Sequence, residues 1–221
     1  MTFRMMRYHL ACVLFTMGVA FAPKSALAQL QPVCFANSPE RRGEPGCSIV
    51  ADKQLPEDLH PPLFWHIDRF DSGDQARAAE GPSSISVDAH SGSWLLTIES
   101  KTANHQGGRH IASVGPLPLP SAPKYALQVL SAIFTPGMSS LVHHHAGVEA
   151  WYVLSGEQCL ETPTAGYKTR AGETFLIEPG VVMRLVTTGS TVRRALAVIV
   201  YDASQPPTTR MEKGPPLISC K

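Results

Sequence analysis

The sequence predicts an all-β protein, and three observations carry that expectation. Short segments of alternating apolar and polar residues recur from Ser93 to Tyr201, separated by turn signals at Pro136-Gly137, Ser155-Gly156, Ala171-Gly172, Pro179-Gly180 and Gly189-Ser190. The chain carries 19 prolines in 221 residues, and proline breaks helix interiors and central strands alike. Only one stretch reads as a helix: Asp71–Ala79, which Asp or Ser can cap and Gly81-Pro82 stops.

Composition narrows the classes of function. Lys+Arg 19 against Asp+Glu 18 leaves a net charge of +1, which argues against a general nucleic-acid binder. The 43% hydrophobic content is that of a globular chain, and 17 Gly with 19 Pro fall short of a disordered or collagen-like composition.

At the N-terminus, Arg4 and Arg7 precede the apolar run Leu10–Ala22, and Ala26-Leu27-Ala28 follows with small residues where a signal peptidase reads. The run is too short to span a bilayer, and Pro23 ends it. Residues 1–28 are therefore expected to be a signal peptide cleaved after Ala28, giving a secreted or periplasmic protein with no membrane partner. Loss of Arg4, Arg7 and Lys24 takes the net charge from +1 to −2.

Four cysteines remain after that cleavage: Cys34, Cys47, Cys159 and Cys220. An even number in an exported chain suggests disulfides, and four cysteines allow three pairings. Cys34–Cys47 is the first choice, because the intervening segment is polar and turn-rich. Cys159–Cys220 would then tie the tail to the body. The alternative for Cys159 is a free, buried thiol.

Along the chain, residues 29–62 read as an irregular arm with Pro32, Pro39, Pro45, Pro56, Pro61 and Pro62. Residues 63–124 are expected to supply additional strands and the short helix, packed on a barrel. They end in the stiff connection Gly115–Pro123. The barrel core is expected over 125–202. Its strands are Tyr125–Phe134, Ser140–His145, Glu149–Leu154, Gln158–Thr162, Thr174–Ile177, Met183–Val186 and Val192–Tyr201. Residues 203–221 read as a C-terminal tail.

Chemistry concentrates between Gly137 and Gly156. On a strand His143 and His145 share one face while His144 takes the other, and a turn at Ala146-Gly147 brings back Glu149. Two imidazoles and a carboxylate then converge, the donor set of a two-His, one-carboxylate metal site. Trp151 shares Glu149's parity and is a candidate for the pocket wall. Tyr152 should face away, and Phe175 is a further aromatic candidate. Arg184 is expected to be solvated, and the pair Arg193-Arg194 is too short to read as an anion site.

This stretch resembles the cupins. Gly137, His143, His145, Glu149 and Gly156 match G-x5-H-x-H-x3-E-x6-G at every fixed position. The second motif is incomplete. Gly172 and Pro179-Gly180 are in place, but Glu178 stands where proline is usual, Met183 where the third histidine falls, and Thr187 where asparagine falls. The resemblance runs from about Tyr125 to Tyr201 and suggests a single type-2-like cupin domain. It implies a cupin jelly-roll, or double-stranded β-helix barrel, with an N-terminal extension.

It further implies His143, His145 and Glu149 as ligands of a divalent metal ion (Fe, Mn, Zn or Cu), with Glu149 also a candidate catalytic carboxylate. Met183 is a possible additional ligand, a soft thioether that would favour copper; the alternative is that it fills the interior beside a metal-free pocket. His110 is the other possible ligand, preferred over His60, His66, His90 and His105. The implied partner is a small-molecule ligand or substrate. One function is a metal-dependent enzyme, dioxygenase-like or isomerase-like, acting on a phenolic or enediol-type compound. The alternative is a non-catalytic module binding a sugar or another small molecule. A homodimer is also consistent with the resemblance.

Overall fold

In a computed structural model of the chain, the described residues are 30–31, 34–36, 43–102 and 107–220. The expected signal peptide and His105 lie outside them. The N-terminal strands are β1 (Leu30–Gln31), β2 (Phe35–Ala36) and β3 (Gly46–Gln54). The irregular arm expected over 29–62 thus contains a nine-residue strand. Pro45 and Pro56 flank β3 and do not interrupt it. A bulge between Ile49 and Ala51 breaks its two-residue period, so alternation in the sequence does not reveal it.

Next come β4 (Phe64–Phe70), α1 (Gly73–Ala78), β5 (Ser84–Ala89), β6 (Gly92–Glu99) and β7 (Arg109–Val114). The Ser72 hydroxyl accepts from the Gln75 N–H at 3.3 Å, and Asp74 and Arg77 suit the two ends of the α1 dipole. The strands that follow are β8 (Tyr125–Phe134), β9 (Ser139–Ser140), β10 (His143–His145), β11 (Val148–Ser155) and β12 (Glu157–Glu161). The chain closes with β13 (Gly166–Arg170), β14 (Thr174–Ile177), β15 (Arg184–Thr188), β16 (Arg193–Asp202) and β17 (Thr208–Arg210).

The strand expected over Ser140–His145 is divided in two. β9 pairs with β1 and β15, whereas β10 pairs with β17. The change of partner at Leu141-Val142 is what divides it. The tail expected over 203–221, and expected to be tied to the body through Cys220, is also held by pairing: Thr208–Arg210 lies beside β10, and Ile218 bridges to Thr162.

A six-stranded sheet in the order β14-β11-β16-β8-β3-β2 is the middle layer. On one face Leu127, Val129, Leu196, Val198 and Val200 pack against Trp65, Ile67, Leu96 and Ile98 of the four-stranded sheet β5-β6-β4-β7. On the other, Leu130, Trp151, Ala197 and Ile199 meet Leu160 and Met183 inside the jelly-roll barrel, which the five-stranded sheet β1-β9-β15-β12-β13 closes. Burial on both faces explains the unbroken apolar run Ala195–Val200. Each fully buried Leu, Ile or Val in this layer contributes about 1.5–3 kcal/mol.

Cys34 is bonded to Cys47 and Cys159 to Cys220, with Cα separations of 4.5 and 5.9 Å. The free-thiol alternative for Cys159 is thereby set aside. Among the described residues no helix is long and apolar enough to cross a membrane.

Candidate functional site

The site is built on β10 and the start of β11. Reciprocal backbone bonds join His143 and Met183, N to O at 3.0 Å and 2.8 Å, while β17 pairs with the opposite edge of β10. The chain then turns at Ala146-Gly147. A β-carbon at Gly147 would collide with the Val200 carbonyl and with Tyr201, so glycine is what lets this turn press against β16. Glu149 follows, held between Ile177 of β14 and Ile199 of β16.

The two imidazoles that share a face meet edge to face, with ring centroids 4.9 Å apart. His143 Nδ1 lies 2.7 Å from the Leu141 carbonyl oxygen, and His145 Nδ1 lies 3.2 Å from the Pro207 carbonyl oxygen and 3.0 Å from Thr208 Oγ1. A carbonyl oxygen only accepts, so each Nδ1 carries the proton and each Nε2 is left for a ligand or a second proton. His145 Nε2 stands 3.3 Å from Glu149 Oε2 and is otherwise without a hydrogen-bond partner.

The electrostatics follow from burial. Burial pushes the Glu149 carboxyl up, but the His145 charge and hydrogen bond, with the charges of His143 and Arg193, outweigh it and hold the group below the usual carboxylate value. Burial pushes His143 down, and the neighbouring His145 adds to that, against the opposing pull of Glu149. Arg193 is lowered by burial to about 10, with Glu149 acting against the shift.

His143, His145, Glu149, Trp151 and Met183 all line one cavity of about 80 Å³ in the barrel. Trp151 and Met183 are each 1% exposed, and Trp151 stacks on Phe175 with centroids 5.5 Å apart. The rest of the wall includes Leu130, Phe134 and the Cys34–Cys47 bridge.

His110 is not part of this constellation. It sits on β7, with Nδ1 2.9 Å from Asp68 Oδ1 and Nε2 3.0 Å from Ser113 Oγ. Since β7 belongs to the sheet on the outer face, the middle layer separates it from the barrel interior. His144, expected on the face opposite His143 and His145, is half-buried opposite Thr209, and its Nδ1 has no partner among the described residues. Arg184, expected to be solvated, keeps 38% of its side chain exposed and also pairs with buried Glu161, its Nε at 2.7 Å, while Ser219 donates to the same carboxylate at 2.6 Å.

Sequence reasoning passed over several residues of the cavity wall, among them Thr208, Arg210 and Arg193, the last of which it set aside with Arg194. Parity could have found Arg193, because it is in step with inward-facing Ala197 and Ile199 on β16. Thr208 and Arg210 carry no such signal. A larger cavity, about 1100 Å³, lies outside the barrel and is lined by Arg69, Asp88, His90, Ser131 and Arg194 among others. It holds none of the residues singled out from the motif.

Among the described residues, no group of three or more His, Cys, Asp or Glu is arranged to hold a metal ion. The donor chemistry does fit a divalent cation. Proton-bearing Nδ1 atoms leave the two Nε2 atoms available, and His145 Nε2 stands 3.3 Å from the Glu149 carboxylate, whose neighbours hold it below the usual carboxylate value.

Residues 131–199 match the family model described as "Cupin domain". No curated protein matches the sequence. Similar solved structures include a cupin-like protein from Thermotoga maritima, with 19% identity, TM-score 0.36, and 38% of this chain and 64% of that one covered. A Cupin 2 conserved barrel domain protein from Salinispora arenicola has 26% identity and TM-score 0.33, covering 35% of this chain and 65% of that one. A polyketide cyclase from Streptomyces resistomycificus has 24% identity and TM-score 0.33, covering 41% and 62%. The chain spans less than two thirds of the length of each of these three.

Proposed function

Residues 131–199 are a cupin domain, and from that premise we propose that the chain is an exported, metal-dependent enzyme acting on a small molecule inside the barrel. The observation that carries this reading is the orientation of the two imidazoles. Both Nδ1 atoms are committed to main-chain carbonyls, and His145 Nε2 faces Glu149 Oε2 at 3.3 Å with no other partner. With the ring proton on Nδ1, the Nε2 atom and the carboxylate oxygen both present lone pairs, so a cation or a second proton belongs between them.

His143, His145 and Glu149 would hold the ion, which supplies Lewis acidity toward a bound oxygen atom. Met183, buried beside His143, adds a soft donor that favours copper over iron or manganese. Trp151, Leu130 and Phe134 keep bulk water from the cavity, and Glu149 is the carboxylate able to take a proton from substrate. A cavity of about 80 Å³ is smaller than the ~150 Å³ that holds benzene. Of the two substrate classes suggested by the resemblance, the phenolic one is therefore disfavoured. The two disulfides support a secreted or periplasmic location.

A second reading, a non-catalytic module for a sugar or another small ligand, is favoured by one observation: Met183 stands where an imidazole would complete the donor set. Elemental analysis of the protein purified from a periplasm separates the two. Stoichiometric metal in the wild type, lost in the His143→Ala/His145→Ala double variant, is the expected result. Metal-free protein that takes up no Fe, Mn, Zn or Cu on reconstitution would overturn the enzyme reading in favour of the module.

A further inference from the structure

Arg193 is a buried cation with no counter-ion in contact. It begins β16 and pairs across the sheet with Phe134. Its backbone is gripped from the other side by the Gly156 turn, where a β-carbon would come within 2.8 Å of Arg193 Cα. The residue is 3% exposed and lines the barrel cavity with His143, His145 and Glu149. The guanidinium lies 5.6 Å from the centroid of the Phe134 ring, and Nε has no hydrogen-bond partner. Among the described residues no carboxylate forms an ion pair with it. Glu149 acts on it only through its field.

Arginine is rarely fully buried unless it is paired, and a guanidinium out of water is costly without hydrogen-bond acceptors. Glu161 shows how this chain settles a buried charge: its carboxylate is met by the half-exposed Arg184 guanidinium and by the Ser219 hydroxyl. Arg193 has no equivalent. The missing partner must enter the cavity, and a planar anion matches the guanidinium fork best.

We propose that Arg193 anchors the carboxylate of a small ligand in the barrel cavity, so that the substrate class is a short-chain organic acid. The inference rests on the reading that this cavity is the ligand site, but not on a metal being bound there. Arg193 orients the acid from one wall, presenting its adjacent carbon or hydroxyl to His143, His145 and Glu149. The cavity of about 80 Å³ confines the acid to a few heavy atoms, below the size of benzene.

Calorimetric titration of the purified mature protein with acetate, lactate and lactamide tests this, with metal content measured on the same samples. Lactamide keeps the shape of lactate and removes its charge. Lactate or acetate is expected to bind, with lactamide at least tenfold weaker, and Arg193→Gln should weaken lactate at least thirtyfold while Arg193→Lys retains part of it. Arg193→Met is expected to keep or raise the melting temperature of the ligand-free protein and to abolish the rise caused by lactate, which a structural arginine would not do. Equal binding of lactate and lactamide, wild-type affinity in Arg193→Gln, or no binding of either acid by the wild type would overturn the proposal. Acid binding by protein that takes up no metal even on reconstitution would leave Arg193 in its role and overturn the metal reading alone. Metal without acid binding would do the reverse.

Discussion

Two regions of this molecule each bring two histidines and a carboxylate together, and they differ in what they leave unfinished. On the outer sheet, His66 Nδ1 lies 2.9 Å from Ser113 Oγ and its Nε2 2.8 Å from the Ser100 carbonyl oxygen. His110 spans Asp68 and Ser113 at 2.9 and 3.0 Å. Every ring nitrogen there has a protein partner. In the barrel, the Nδ1 atoms of His143 and His145 are satisfied in the same manner, but His145 Nε2 is not, and Arg193 Nε, on a residue lining the same cavity, has no partner either. A histidine cluster that closes on itself is architecture, whereas one that spends half of each ring on positioning and leaves the other half open is prepared for something from outside.

The contrast can be broken by mutation. His66→Ala has the largest expected effect on stability, about 3 kcal/mol, since it removes a fully buried ring and strands two hydrogen-bond partners. Urea unfolding measures that loss, and metal content and lactate binding should stay as in the wild type. Loss of either would mean that the outer cluster serves the site after all. Met183→His comes next. It should tighten a first-row metal by about tenfold, or ~1.4 kcal/mol, in competition with a chromophoric chelator. Indifference to the change would put Met183 in the packing alone.

Ser72→Ala removes the α1 cap on the outer side and should lower stability by about 1 kcal/mol, with no change in the cavity. The gentlest test is pH. His143 is lowered in the folded chain, so the unfolded chain takes up its proton first and metal-free protein loses stability as pH falls below about 6.5. The Glu149 carboxyl is also lowered, so its contribution is present above about 4.5 and lost as pH falls through its folded value. Both slopes run the same way. Melting temperatures of metal-free protein should decline on acidification, and His143→Ala should flatten the upper part of that decline.

Local regularity decided which features were visible without a structure. Tyr125–Phe134 was legible to its ends because its residues are strand-formers bounded by proline-bearing turns. The helix was legible from Ser72 and Gly81-Pro82. β3 was not, because its bulge and its few apolar residues erase the period on which the reading depends. His110 looked like a ligand from its residue type and strand setting. Its exclusion depends on which side of the middle sheet β7 lies, and no local pattern records that.

The residues by themselves determined the all-β class, the spacing that sets His143, His145 and Glu149 on converging strands, and the small set of cysteine pairings from which two bridges formed. These are short-range properties: strand parity, turn chemistry and counting. Only the tertiary structure decided that Thr208–Arg210 would close the edge of β10, that β3 would join the barrel, and that Arg193 would be sealed into the cavity without a counter-ion. Those outcomes depend on how separate strands stack and which faces they bury. A charge is isolated or paired according to what the fold brings beside it, and its neighbours in the sequence do not specify that.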